Sequence, residues 1–142
     1  MHRSTRAALT IAAVSLLTLG ASVSAQAAPA IPVSNGQETT GAKGGAHGFF
    51  TYEIDGNSFC YTVSVTGLTA PASDAHIHFA PRKEAGGVVI PLEVPEETTF
   101  ETSGCATADL ALLALIEENP GDYYVNIHTP TYPGGEVRGQ LK

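Results

Sequence analysis

The segment "FFTYEIDGNSFCYTVSV", residues 49–65, constrains the fold more than any other part of the chain. Phe50, Tyr52 and Ile54 alternate with polar residues, as do Phe59, Tyr61, Val63 and Val65, on either side of an Asp55-Gly56 turn. Period-two alternation across a turn of this chemistry is a β-hairpin with one apolar face. A chain anchored on such a hairpin must find more strands to cover that face.

Further strands are read from the same period. In "DAHIHFAP", residues 74–81, Ala75, Ile77 and Phe79 take the apolar side, and His76 and His78 project together on the other. "VVIPLEV" sets Val88, Ile90, Leu92 and Val94 on one face, and Pro91, which cannot donate to a ladder, marks an edge strand. "TTFETS" is a further short strand, and "YYVNIHT" and "EVRGQLK" close the chain as a pair across a Pro-Gly-Gly loop. One segment breaks the pattern: "TADLALLALIEENPGD" predicts a short helix over about 107–118, capped by Thr107 and stopped by Pro120-Gly121. Its leucines surround most of the cylinder, as in a helix buried between a loop and the sheet, and it has no basic face for a membrane surface. The expected class is all-β, an antiparallel β-sandwich with Greek-key-like connections and one short helix.

The N-terminus is of another kind. Arg3 and Arg6 precede an apolar run from Ala7 to Ala21 that ends in small residues, the pattern of a secretory signal peptide over residues 1–27. Cleavage is expected after Ala27, with Ala25 as the alternative, and no transmembrane segment is expected afterwards. Removing 27 of the 142 residues leaves 115, enough for one modest core. The mature chain holds five basic and fourteen acidic residues, a formal charge of −9, which argues against nucleic acid and anionic membranes as partners. The next residues are rich in Gly, Pro, Ala, Ser and Thr as far as Gly45 and read as an arm, flexible over 28–32 and partly ordered at best beyond.

An exported chain meets an oxidising compartment, so Cys60 and Cys105 are expected to form one disulfide, and a pair of metal thiolates is the alternative. By strand parity Cys60 faces away from Tyr61 and Val63, so the bridge is expected to staple the connection around Cys105 to the sheet.

Chemistry gathers on the polar side of the strands. Asn126 and His128 lie opposite Val125 and Ile127, while Glu136, Arg138 and Gln140 share a side of the last strand, which pairing would bring near His128. His76, His78 and His128 could offer three nitrogens to copper or zinc, with Glu136 orienting one imidazole. The reading preferred on parity is that the same residues, with Asn126 and Arg138, form a hydrogen-bonded network on the wet face of an antiparallel sheet, with the metal site as the alternative. His47, in the glycine-rich approach to the first hairpin, is either a fourth ligand or simply exposed. Lys43 lies among glycines without the spacing of a phosphate loop. No G-x-S-x-G or other nucleophile signature is present, and Glu96-Glu97 and Glu117-Glu118 read as solvated charge. The Tyr-rich "YYV" and "TYP" are read as core packing and loop anchoring, with a recognition surface as the alternative.

"AHIH", "GGVVIPL", "NPGDYYVNIHT" and "PGGEVRGQL", in this order, resemble the CHRD (chordin-type) domain, in the manner of its bacterial secreted members, from about residue 33 to 141. "SFCYTVSVTGL" followed by "SGC" is similar to the cysteine-bearing members. "NGQETTGAKGGAHG" departs from the family pattern in lacking Val-Pro-Pro. The resemblance implies a domain over 33–142, extracellular and all-β, without an established enzymatic activity; an extracellular or cell-envelope partner is the accompanying expectation for a binding or structural module. A weaker resemblance of the His-x-His strand is to Cu/Zn superoxide dismutase, with His76, His78 and His128 at copper positions. There is no histidine between Phe79 and Ile127, so the other metal-binding histidines of that enzyme have no counterpart and dismutase chemistry is not expected.

Overall fold

The computed structural model describes residues 29–142, so the expected signal peptide lies outside the described residues. Eight strands follow: β1 Ile31–Ser34, β2 His47–Asp55, β3 Ser58–Thr66, β4 Asp74–Phe79, β5 Gly87–Leu92, β6 Phe100–Thr107, β7 Tyr123–His128 and β8 Val137–Gln140. A single helix, α1, spans Leu110–Glu118. The strands form one antiparallel sheet in the order β5-β4-β7-β8-β1-β2-β3-β6. Among the described residues no helix is long and apolar enough to cross a membrane.

The expected hairpin is β2–β3, with Phe50 opposite Val63, Tyr52 opposite Tyr61 and Ile54 opposite Phe59. Its two-residue turn is Gly56-Asn57, one position later than expected, because Asp55 pairs with Ser58. The apolar faces of all the strands meet in one core, which includes Ile31, Phe50, Phe59, Ile77, Ile90, Val125, Ile127 and Val137, all nearly inaccessible to solvent.

The sheet curls until its two edges meet. Tyr61, on β3, reaches past β6 to the end of β5, where its hydroxyl accepts from the Glu93 N–H at 2.7 Å and donates to the Glu93 carbonyl at 2.8 Å. It crosses β6 at Gly104, its register partner, where any Cβ would stand 2.8 Å from the Tyr61 hydroxyl. The glycine is the gap through which the sheet is closed.

Several elements differ from expectation. β1 begins inside the expected arm, since Ile31 is buried and pairs with Phe50. β6 runs on through Cys105 to Thr107, so Cys60 and Cys105 stand directly opposite each other in a ladder. Their disulfide therefore joins two neighbouring strands on the outer face instead of tying down a connection. Asp109, not Thr107, caps α1, accepting from the N–H groups of Ala111 and Leu112. The helix buries only Leu113 and Ile116 deeply and leaves Leu110 and Leu115 exposed, so it lies on the core and is not enclosed by it. Pro91 does sit on an edge strand, but a bulge opposite Ile77 and His78 shifts the parity of β5. Ile90 and Leu92 face the core, whereas Val88 pairs with His78 and is 52% exposed.

The disulfide closes a loop of 45 residues. Replacing Cys60 and Cys105 together by serine should lower stability by about 4 kcal/mol through loop-closure entropy, measured by urea denaturation under non-reducing conditions. A loss below about 1 kcal/mol would show that residual structure keeps these two segments close in the unfolded chain even without the bridge.

Candidate functional site

Three strands lay out the polar face as a grid. Asp74 is opposite His128, His76 is opposite Asn126, and His78 is opposite Tyr124 across β4 and β7. Asn126 is in turn opposite Arg138, and Tyr124 opposite Gln140, across β7 and β8. Directly opposed residues share a face, so the histidines, Asn126, Arg138 and Gln140 point together, as the sequence parity requires.

This face is not wet. Asn126, Arg138 and Glu136 are 0–1% exposed, and His78, His128 and Gln140 are buried as well. Only His76 is half-buried and only Asp74 is exposed. Three connecting segments roof the grid, and each is held by a polar side chain of the grid or beside it.

The first roof is the β4–β5 loop. Arg138 donates to the carbonyls of Glu84 at 2.6 Å and Pro81 at 2.8 Å, and to the Gln140 side chain at 3.0 Å. Gln140 donates to the carbonyls of Ala80 and Gly121. The Arg138 guanidinium lies 3.4 Å over the Tyr124 ring, and the Tyr124 hydroxyl accepts from the Gly86 N–H. Tyr124 stacks on His78 with centroids 4.8 Å apart. The loop so fixed presents the Gly86 carbonyl to His78 Nδ1 at 3.0 Å.

The second roof is the β7–β8 loop. The Glu136 carboxyl accepts from the Thr69 N–H, the Thr69 hydroxyl and the Thr129 hydroxyl. Glu136 therefore does not orient an imidazole, as the sequence suggested; its oxygens are occupied in holding the loop. The Pro133 carbonyl of that loop lies 3.0 Å from His128 Nδ1. The third roof is the expected arm itself. Asn35 donates to the Glu136 carbonyl, Thr40 to the Gly135 carbonyl, and the Lys43 N–H to the Tyr132 hydroxyl. Glu38 accepts from Asn126. Gly135, with φ +122°, lies against the Asn126 side chain where a Cβ would collide with it.

The imidazoles are thereby fixed in protonation. A carbonyl accepts only from N–H, so His78 and His128 carry their proton on Nδ1 when neutral and turn Nε2 inward as a lone pair. His128 Nε2 faces His76 Nδ1 at 3.1 Å. His78 Nε2 is buried with no hydrogen-bond partner among the described residues. One nitrogen from each of the three lies within 4.8 Å of the others. Burial lowers the His78 imidazole below its ordinary pKa against the opposing hydrogen bond to Gly86. Burial does the same to His128, against the hydrogen bond to Pro133, with His76 adding to the lowering and Asp74 opposing it. Two neutral, outwardly clamped imidazoles with inward lone pairs are what zinc or copper requires of its histidine ligands. His47 is not part of the group: it is exposed at the start of β2 with its ring against the Gly45 carbonyl.

Glu38 is the residue that sequence reasoning missed. Burial pushes its carboxyl up to about 7, against the opposing pull of Arg138, the Thr39 backbone and Asn126. A carboxyl raised in the folded state favours folding below the unfolded value of 4.5, and that contribution is lost as pH rises through about 7. The lowered histidines run the other way: their contribution is present above the ordinary histidine value and is lost on acidification. Glu38→Gln should therefore gain stability relative to the parent as pH rises from about 5 to about 8, followed by denaturation at each pH. Parallel profiles would show that the Glu38 carboxyl ionises normally in the folded protein.

Comparison with known proteins adds one match. No curated protein and no solved structure matches the chain. The pattern of the CHRD domain matches residues 23–141, a stretch that takes in all eight strands, the three roofs and the histidine group. By that match over most of its length, the chain belongs to the CHRD domain family.

Proposed function

We propose that this chain is an exported, non-enzymatic CHRD module whose outer sheet face holds one zinc or copper ion on His76, His78 and His128. The observation that carries the reading is the buried, unpartnered His78 Nε2, on a ring whose group brings one nitrogen of each histidine within 4.8 Å of the others. A buried polar atom without a partner costs free energy, and a metal ion bound there would remove that cost. Around an ion with bonds of 2.0–2.1 Å, tetrahedral nitrogens stand about 3.4 Å apart, so the 4.8 Å group needs only modest side-chain adjustment. His76, half-buried and the least constrained of the three, is the one free to adjust. Lowered basicity at His78 and His128 keeps both available to metal at neutral pH.

Export is supported by the N-terminal sequence pattern, with cleavage after Ala27, and by the paired cysteines. The intact mass of protein recovered outside the cell should correspond to a chain starting at Ala28; retention of residues 1–27 would contradict it. Its partner is met in the extracellular space or cell envelope, and its acidic surface disfavours nucleic acid. We read the closed sheet as a flattened, sandwich-like structure with Greek-key-like connections, which is supported by the crossings from β3 to β4 and from β6 to β7.

Added Zn²⁺ or Cu²⁺ should raise the melting temperature of the purified protein, with about 2.7 kcal/mol of stabilisation at a free concentration 100 times Kd. His78→Ala should abolish the shift. If neither ion stabilises the protein and native mass spectrometry finds no bound equivalent, the face is a structural hydrogen-bonded network and the metal reading is wrong.

A further inference from the structure

The sequence "DAHIHF" contains one more side chain on the histidine face. Asp74 opens β4 two residues before His76, and it stands directly opposite His128. Opposed residues have Cβ atoms roughly 4.5–5.5 Å apart, so the register sets Asp74 beside His128, and His76 follows two residues on along the same face. Along β4 the face grades from buried His78 through half-buried His76 to exposed Asp74. The three histidine nitrogens lie within 4.8 Å of one another, and Asp74 stands exposed just outside that group, at its rim.

Two other carboxyls belong to this face, and both are committed. Glu136 accepts three hydrogen bonds from Thr69 and Thr129, and Glu38 accepts from Asn126. Asp74 has only two side-chain torsions, and its strand position is fixed by pairing.

We propose that Asp74 supplies the fourth, oxygen ligand to the metal ion held by His76, His78 and His128. The proposal rests on the three-histidine reading above and sets the character of that site. Three neutral imidazoles and one carboxylate complete a tetrahedron and leave no position for a substrate, which makes the site structural, not catalytic. Such an ion would clamp β4 to β7 at the rim, where the roof ends. Carboxylate ligation also favours zinc over cuprous copper, which prefers soft sulfur ligands.

The test is Co²⁺ titration of the purified exported protein followed by visible absorption, with Zn²⁺ competition for affinity. The parent should take up one equivalent with the intense d–d bands of a four-coordinate ion. Asp74→Asn, isosteric and at an exposed position, should fold normally by circular dichroism. It should bind more than about 100-fold more weakly, beyond the usual effect of losing an outer partner, and its d–d bands should weaken and shift. Asp74→Asn with unchanged bands overturns the proposal even if affinity falls, because that result makes Asp74 a distant charge and leaves the three-histidine site standing. A parent protein that binds neither ion overturns both readings together.

Discussion

A buried guanidinium governs the outer face of the sheet. Arg138 cannot lose its charge and brings five donors in a rigid fork, so its removal from water has to be met by acceptors in fixed places. The carbonyls of Pro81 and Glu84, the Gln140 amide and the Tyr124 ring meet it. Satisfying the cation draws the β4–β5 loop down over the sheet, and that loop delivers the Gly86 carbonyl that sets the His78 tautomer. The order of cause runs from charge to loop to imidazole. Glu136 plays the parallel part at the other end, where its three hydrogen bonds hold the loop that brings Pro133 to His128.

The hydrogen-bonded network sets the imidazole orientations whether or not an ion is held between them. The groups that look structural, Arg138, Glu136 and Gln140, touch no inward imidazole nitrogen themselves. They position the backbone carbonyls that do the orienting. His78 Nε2 is one of three buried side-chain atoms without a hydrogen-bond partner among the described residues, with Asn35 Oδ1 and Asn126 Oδ1, and of the three it alone belongs to the histidine group.

Parity was legible in the sequence because it is local: residues two apart share a face whatever the sheet does. That placed His76 with His78, Asn126 with His128, and Arg138 with Gln140, and it gave the β2–β3 hairpin, while the missing N–H of Pro91 marked the edge strand. Burial of the polar face was not legible, because it comes from segments whose composition is that of loops. "NGQETTGAKGG" holds almost no large apolar residue, and it is ordered by Asn35, Glu38, Thr40 and the Lys43 amide through contacts about 90–100 residues away in sequence. The direction of the Glu136 side chain escaped for a related reason, since register fixes a row and not what a carboxyl bonds to. β6 was read too short because "SGCAT" carries small residues inward, a choice that makes sense only once Tyr61 is known to cross at Gly104. The bulge in β5, which turns Val88 outward, has no signal in "GGVVIPL" at all.

The closure of the sheet by Tyr61 bears on how the protein meets further copies of itself. An open eight-stranded sheet would present two rows of unpaired amides, a template for pairing with the next molecule. Here the β5 and β6 edges are turned toward each other, the Glu93 amide and carbonyl just beyond β5 are taken by one phenol, and a disulfide fastens β6 to its neighbour. Pro91 and the bulge further spoil the β5 edge as a pairing surface. One tyrosine and one glycine thus guard the protein against self-association into fibres, a safeguard that depends on geometry and not on its negative charge.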